Sequence, residues 1–515
     1  MRSHYEAANR FLSAGDQQKA GVEYRAFLAE ALHRVANAEA QTERIDAAIP
    51  IFENAVDFAP ADNDLKLDFA SALLDAEHSA QAKDLAAEAV GSDPHNARAR
   101  FLLGRILYNL EDYQQAKPQL EAAVALNPDF QTGYLLGKTY LLLHDQNNAR
   151  RLFDEMTAGL GDTALLHTYF GRAYSLMDYP EPAIEEFRKA AARDSHARNV
   201  HYYWAMAYLR HDETVGYDKA IPEFQAELAI NPGDVRCHYM LGYIALKQRR
   251  FADAEQELMQ AAALQPNDLN TILCLAETYM GENRAAEAES ALRKAIALAG
   301  EGAGNNAANN GDGRRQAGRA HYLLGRLLMK AGRTEEAKQQ LHLAAETGAD
   351  NANGGRASEA RAGEAGHAEA GQGEASQGEP RMISSSSLVQ QESRERSDSS
   401  TAASPQERMR ADQFRNELAP LIAEGYNDLG ALAATNRDFK TAVSMFEQVQ
   451  SWNPAMEGLD RNLGMAAFYA GEFDKAEPAL KQYLAAHPDD TAVRSALNEA
   501  EGAQKRTPGT TPRPN

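Results

Sequence analysis

Residues 136–153 read LGKTYLLLHDQNNARRLF, and the fold is decided by three of them: Gly137, Ala149 twelve residues later, and Phe153 four residues after that. A small side chain on one helix and an alanine on the next let two backbones approach closely, and a ring beside them fills the space that remains. Working outward, the alanine recurs at Ala48, Ala82, Ala116, Ala149, Ala183, Ala220, Ala254 and Ala288, with spacings of 34, 34, 33, 34, 37, 34 and 34. It recurs again at Ala20, Ala337, Ala442 and Ala476.

The other two marks travel with it. Four residues on stand Tyr24, Phe52, Leu120, Phe153, Phe187, Phe224, Leu258, Leu292, Leu341, Phe446 and Leu480, with Ala86 the exception. Twelve residues before stand Ala8, Ala36, Ala70, Gly104, Gly137, Gly171, Gly242, Ala276, Gly325, Gly430 and Gly464; Ala205 joins them once a three-residue insertion near Glu213 to Val215 is allowed for. Seven repeats close with a proline, from Pro60 and Pro94 to Pro454 and Pro488, at a position where a helix must stop.

Leu136-Gly137, Tyr140, Ala149 and Phe153 reproduce most of the signature of the tetratricopeptide repeat (TPR) family, and the resemblance covers about four-fifths of the chain. It implies an all-α fold, a right-handed α-solenoid of antiparallel helix pairs in which no pair buries its apolar face alone and stability accumulates over neighbours. Protein partners held on the concave side of helix A are the function that goes with it.

Composition agrees. The 515 residues exceed one compact core, long stretches such as Glu30 to Ile49 lack Gly and Pro, and sustained strand-like alternation is absent. A formal charge of −21 argues against nucleic acid, which needs clustered cations. The two cysteines, Cys237 and Cys274, sit among apolar neighbours on helical segments and read as small buried hydrophobes. No apolar run is long enough for a membrane span. The opening Met1-Arg2-Ser3-His4 turns polar at once, so the expectation is a cytoplasmic protein, or an exported one should a signal peptide precede it. Phosphate loops, zinc-binding and nucleophile-elbow motifs are missing and the fourteen histidines look scattered, so neither an enzyme nor a cofactor or metal is expected.

The array should be interrupted three times. Residues 1–62 hold N-terminal repeats joined by a long helix, because the spacing from Ala20 to Ala48 shrinks to 28 with no breaker between Val22 and Ile49. The main array, 63–300, is followed by a flexible insertion at 301–317, rich in Asn and Gly, and one further repeat at 318–347. A disordered linker of Gly, Ala, Glu and Ser is expected at 348–403. Ser404-Pro405-Gln406-Glu407 then spells a capped helix start, which opens a lead-in helix at 404–422, two repeats at 423–489, a capping helix at 490–506 and a loose tail at 507–515.

The register also nominates a binding wall. Positions six and three before the small residue, and one and four after it, share one helix face. Between Arg98 and Met329 they carry seven bases, Arg98, Arg105, Lys138, Arg172, Arg236, Arg319 and Arg326, and seven rings, Phe101, Tyr108, Tyr134, Tyr202, Tyr239, Tyr243 and Tyr322. Glu277 is the one acid there. Such a groove suits an acidic or amphipathic peptide segment of a protein partner. The two-carboxylate clamp for chaperone C-termini, as the family builds it, finds no three consecutive repeats that supply its Lys, Asn and Arg. A second reading is a self-associating array, or an adaptor whose own linker, with Glu359, Glu364, Glu369, Glu374 and Glu379 five apart, occupies the groove.

Overall fold

A computed structural model describes residues 1–42, 44–211, 213–301, 310–359 and 403–506, all as helices and the turns between them. In chain order the helices are α1 (Arg2–Ser13), α2 (Gln17–Gln41), α3 (Ile45–Phe58), α4 (Asn63–Asp75), α5 (Ser79–Ser92), α6 (Ala97–Asn109), α7 (Tyr113–Leu126) and α8 (Phe130–Leu142). There follow α9 (Gln146–Leu160), α10 (Ala164–Leu176), α11 (Pro180–Arg193), α12 (Val200–His211), α13 (Glu213–Ile230), α14 (Val235–Lys247), α15 (Phe251–Leu264), α16 (Leu269–Gly281), α17 (Ala285–Glu301), α18 (Asn310–Lys330) and α19 (Thr334–Glu359). The last five are α20 (Pro405–Thr435), α21 (Phe439–Trp452), α22 (Leu459–Ala470), α23 (Phe473–Ala486) and α24 (Thr491–Arg506). They form two compact units, one of residues 1–143 with 390–515 and one of residues 144–389.

The repeat register holds at atomic scale. All twelve marker alanines, from Ala20 to Ala476, are fully buried. A Cβ built on Gly104 would lie 2.6 Å from the Leu120 side chain, on Gly171 2.6 Å from Phe187, and on Gly242 2.6 Å from Leu258. The same approach recurs in Gly325 with Leu341, Gly430 with Phe446 and Gly464 with Leu480. Glycine is required there because the large residue of helix B occupies the space a side chain would take.

Turns between helices A and B repeat a conformation that the sequence reading did not foresee. Five residues before the alanine the backbone enters the left-handed region: Glu77, Glu111, His144, Asp178, Arg249, Asn283 and Arg437 have φ between 58° and 64°. Among the described residues, glycine stands at the equivalent place only at Gly15, Gly332 and Gly471. The left-handed residue lets the chain reverse in two or three residues, at a local cost of about 1 kcal/mol where it is not glycine. An aspartate then caps helix B in several repeats, as Asp112 does by accepting the amide of Gln115 at 3.2 Å.

Where the repeat rhythm breaks, the structure has specific answers. The shortened spacing near the N-terminus becomes α2, whose 25 residues serve as helix B of one pair through Ala20 and helix A of the next through Ala36. The insertion at 213–215 enters the first turn of α13, which at 18 residues is longer than the usual repeat helix. Ser404 and Glu407 form the reciprocal capping box, but α20 passes through Pro420 without stopping, so the lead-in helix and the next helix A are one element of 31 residues. Helices α18 and α19 take in residues 310–317 and 348–359. The rest of the expected insertion (302–309), of the linker (360–402) and the tail (507–515) lie outside the described residues.

Within the first unit the C-terminal repeats return to the N-terminal ones. Helices α2 and α20 pack antiparallel: Glu39 meets Arg415 at 3.1 Å, the Phe27 ring faces Gly425, and Leu432 reaches Gly21. Between them lie Tyr24, Phe27, Leu28, Ile422 and Tyr426, all buried. At one end of the seam Glu39, 1% exposed, is held between Arg415 and Arg44, and Arg44 also pairs with Asp412. Midway along α20, Tyr5 of α1 donates to Glu424 at 2.7 Å. Val493 and Ala500 on α24 are buried against the final pair, where the sequence placed a capping helix.

Candidate functional site

Helices A carry the nominated residues, and the two units present them separately. In the first unit, Arg98 of α6 pairs with Asp68 and Asp64 of α4, and Arg105 lies 3.3 Å from Asp75. Asp68 is also contacted by His33 at 2.7 Å and Asn37 at 2.9 Å. Burial works to raise its carboxyl, but these hydrogen bonds and the Arg98 charge outweigh it and hold the group well below the usual carboxylate range. Tyr108 meets Tyr113 edge-on at 5.4 Å. Lys138 on α8 is only 6% exposed, with its ammonium 5.2 Å from the ring centres of both Tyr108 and Tyr134. Tyr134 is itself buried and stacked on Phe130, and Phe101 is half-buried on α6. Lys138 and Tyr134 therefore stiffen this wall from inside it.

In the second unit the rings and guanidiniums interleave across three successive helices A. Arg172 of α10 lies 4.7 Å over Tyr203 of α12, Tyr203 meets Tyr202 edge-on at 5.4 Å, and Arg236 of α14 lies 4.2 Å over Tyr202. Asp234 fixes Arg236 at 2.7 Å, and Asn199 accepts a further hydrogen bond from it. Burial works against the Arg236 charge, yet the Asp234 bond outweighs it and keeps the guanidinium charged. Tyr239 stacks on the buried Tyr243 at 6.3 Å, and Lys247 stands 5.4 Å from the Tyr243 ring. Further along, Arg319 pairs with Glu277, and the exposed Tyr322 carries Arg326 at 5.8 Å.

The nominated cations thus fall into two sets. Arg98, Arg105, Arg236 and Arg319 have carboxylate partners in or beside the preceding repeat. Lys138, Arg172 and Arg326, with Arg236 again, lie over rings. Counting four helix positions overlooked Asp68, Asp75 and Asp234, which sit outside that register, and overlooked Tyr203, one residue from the nominated position. The signal for the acids was available: Asp68 and Asp75 stand 30 residues before Arg98 and Arg105, close to one repeat length.

Cys237 and Cys274 are buried and unbridged, as their apolar neighbours suggested. Burial pushes the Cys274 thiol up to about 12, and its sulfur lies 3.9 Å from the Tyr239 hydroxyl. Among the described residues no cluster of three or more His, Cys, Asp or Glu could hold a metal ion, and no helix is long and apolar enough to cross a membrane.

Family models described as tetratricopeptide repeat match residues 29–62, 67–129, 216–268, 318–346 and 433–500. No curated protein matches the chain. Similar solved structures include MamA from Desulfovibrio magneticus RS-1, 19% identical, covering 37% of this chain and 97% of that one with a TM-score of 0.32. YrrB, described as a TPR protein with an unusual peptide-binding site, is 18% identical over 43% of this chain and 95% of its own, with a TM-score of 0.26. TTC0263, a thermophilic TPR protein of Thermus thermophilus, is 21% identical over 35% of this chain and 99% of its own, with a TM-score of 0.28. With its helix pairs, its marker alanines and five matched segments in register, the chain is a tetratricopeptide repeat protein.

Proposed function

We propose that this repeat scaffold takes an acidic peptide segment of a protein partner along helices α10, α12 and α14. The reading rests on the run Arg172, Tyr203, Tyr202, Arg236, in which two guanidiniums flank a pair of rings over three repeats. A guanidinium held over a ring has its face already desolvated, so little side-chain freedom is lost when a partner arrives. Asp234 and Asn199 hold Arg236 in place beforehand. An extended peptide with carboxylates a few residues apart would meet both guanidiniums, and its apolar side chains would lie on the tyrosines.

The test uses the full chain and two immobilised peptides, one alternating Glu and Leu and the other Gln and Leu. The Glu peptide is expected to bind more tightly, with the difference shrinking as salt rises. Arg172→Ala is expected to weaken it about tenfold with helicity unchanged. Equal affinity for both peptides, or no effect of Arg172→Ala, removes the acidic partner from the reading and leaves the scaffold.

A further inference from the structure

The histidines fall into register once the helices are in place. Four residues before the small residue of helix A, in five repeats, stand His4, His167, His201, His238 and His321. Each reaches the facing residue of helix B: Glu23 at 2.6 Å, Glu186 at 2.6 Å, Glu223 at 2.6 Å, Glu257 at 2.7 Å and Gln340 at 2.7 Å. The α6–α7 pair has Arg100 and Gln119 at the same place, 2.7 Å apart. This is a side-chain clasp between the two helices of a repeat, and in these five repeats its helix A member is an imidazole.

Two clasps in the second unit differ from the rest. In His167, Nδ1 is 2.6 Å from Glu186 and Nε2 is 2.9 Å from Asp162, so carboxylates face both nitrogens of a side chain that is 5% exposed. In His238, Nδ1 is 2.7 Å from Glu257 and Nε2 is 3.1 Å from the carbonyl of Pro232, an atom that can only accept. A neutral imidazole has one N–H and one lone pair, so it can satisfy one of two acceptors while its lone pair faces the other. An imidazolium satisfies both.

We infer that His167 acts as a proton-dependent fastener of the helix pair α10–α11: charged, it ties helix B and the preceding loop to helix A, and neutral, it lets one tie go. The surroundings of His167 support this. Lys189 lies 2.7 Å from Glu186 and Arg193 2.6 Å from Asp162, so both carboxylates stay ionised and ready to accept. The hydrogen bond to Glu186 raises the His167 proton affinity, burial lowers it, and the bond to Asp162 adds to the rise; the balance is upward. A histidine whose folded value is raised contributes stability that is full below the ordinary imidazole value and lost as pH rises through the raised one. Glu186 works in the opposite sense: burial raises it, its bonds to His167 and Lys189 prevail and lower it, so its contribution is lost only at strongly acidic pH. The α10–α11 pair is therefore tightest in mildly acidic solution. Because α10 carries Arg172, loosening this pair on the alkaline side would also loosen the wall that the proposed function uses, although the fastener itself does not depend on that reading.

Hydrogen exchange in the intact chain, corrected for the intrinsic effect of pH, tests this directly. Between pH 6 and 8, protection of α10–α11 is expected to fall severalfold, while α6–α7, clasped by Arg100 and Gln119, keeps its protection. The accompanying melting transition of the second unit should drop by about 2–4 °C over the same range. His167→Gln keeps a donor in the clasp and should flatten both profiles; His196→Gln, at an exposed histidine outside the clasps, should leave them as they are. If that variant folds poorly, Glu186→Gln provides the second route to the same flattening. A His167→Gln chain with the slope of the parent, or a parent chain with no slope, overturns the inference.

Discussion

In the unit made of residues 1–143 and 390–515, two long helices meet across 376 residues of sequence, whereas in residues 144–389 helices pack on the next element or the next but one. The first unit closes a seam: α2 and α20 bury Phe27, Ile422 and Tyr426, and Glu39 is shared by two arginines. The second repeats one helix pair and fills its helix A faces with rings under guanidiniums. The same packing rule serves both. What differs is whether a helix finds its apolar partner in the next repeat or in a distant segment, and helix B of one repeat fused with helix A of the next into α2 has a longer face to offer the distant one.

The most damaging way to test the shared rule is a charge at a marker alanine. Ala254 is fully buried against the pair Gly242 and Leu258, so Ala254→Glu should cost several kcal/mol and abolish the cooperative melting of the second unit by circular dichroism. An unchanged transition would mean that the pairs tolerate separation, and the common rule would fail. A change confined to the seam is milder. Glu39→Ala leaves Arg415 and Arg44 facing each other without their carboxylate; because both arginines are over a third exposed, about 1–3 kcal/mol is expected. Amide exchange should rise in α2 and α20 and stay level in α10 to α16; a rise everywhere would show that the two units do not open separately. The smallest effect is a gain. Glu111 holds a φ of 60° in the α6–α7 turn, where Gly332 and Gly471 stand in other repeats, and Glu111→Gly should raise stability by about 0.5–1 kcal/mol in urea unfolding.

Much of the fold was legible because helix pairing leaves a trace in residue size. Gly104, Gly171 and Gly242 could be placed against Leu120, Phe187 and Leu258 from spacing alone, and the Ser404–Glu407 box could be seen as a helix start. The left-handed turns left less trace, since Glu, Asp, Arg and His all occupy them and only three of those described are glycine. The candidate site was half legible. Helix register nominated Arg172, Tyr202 and Arg236, but the acids that anchor or neutralise cations come from other helices or from residues before the helix begins, and a count along one face does not see them. The histidines looked scattered in a linear list, and five of the fourteen fell into one clasp position only when helix B was set beside helix A.

Local spacing determined that this chain folds as paired helices and which residue of each pair lies inside, because these follow from contacts between residues a fixed distance apart. Tertiary structure alone decided that α20 packs on α2, that Lys138 is buried between two rings, and that His167 lies between two carboxylates. Each of these depends on which unlike side chains meet across helices, and no periodicity in the chain encodes that meeting.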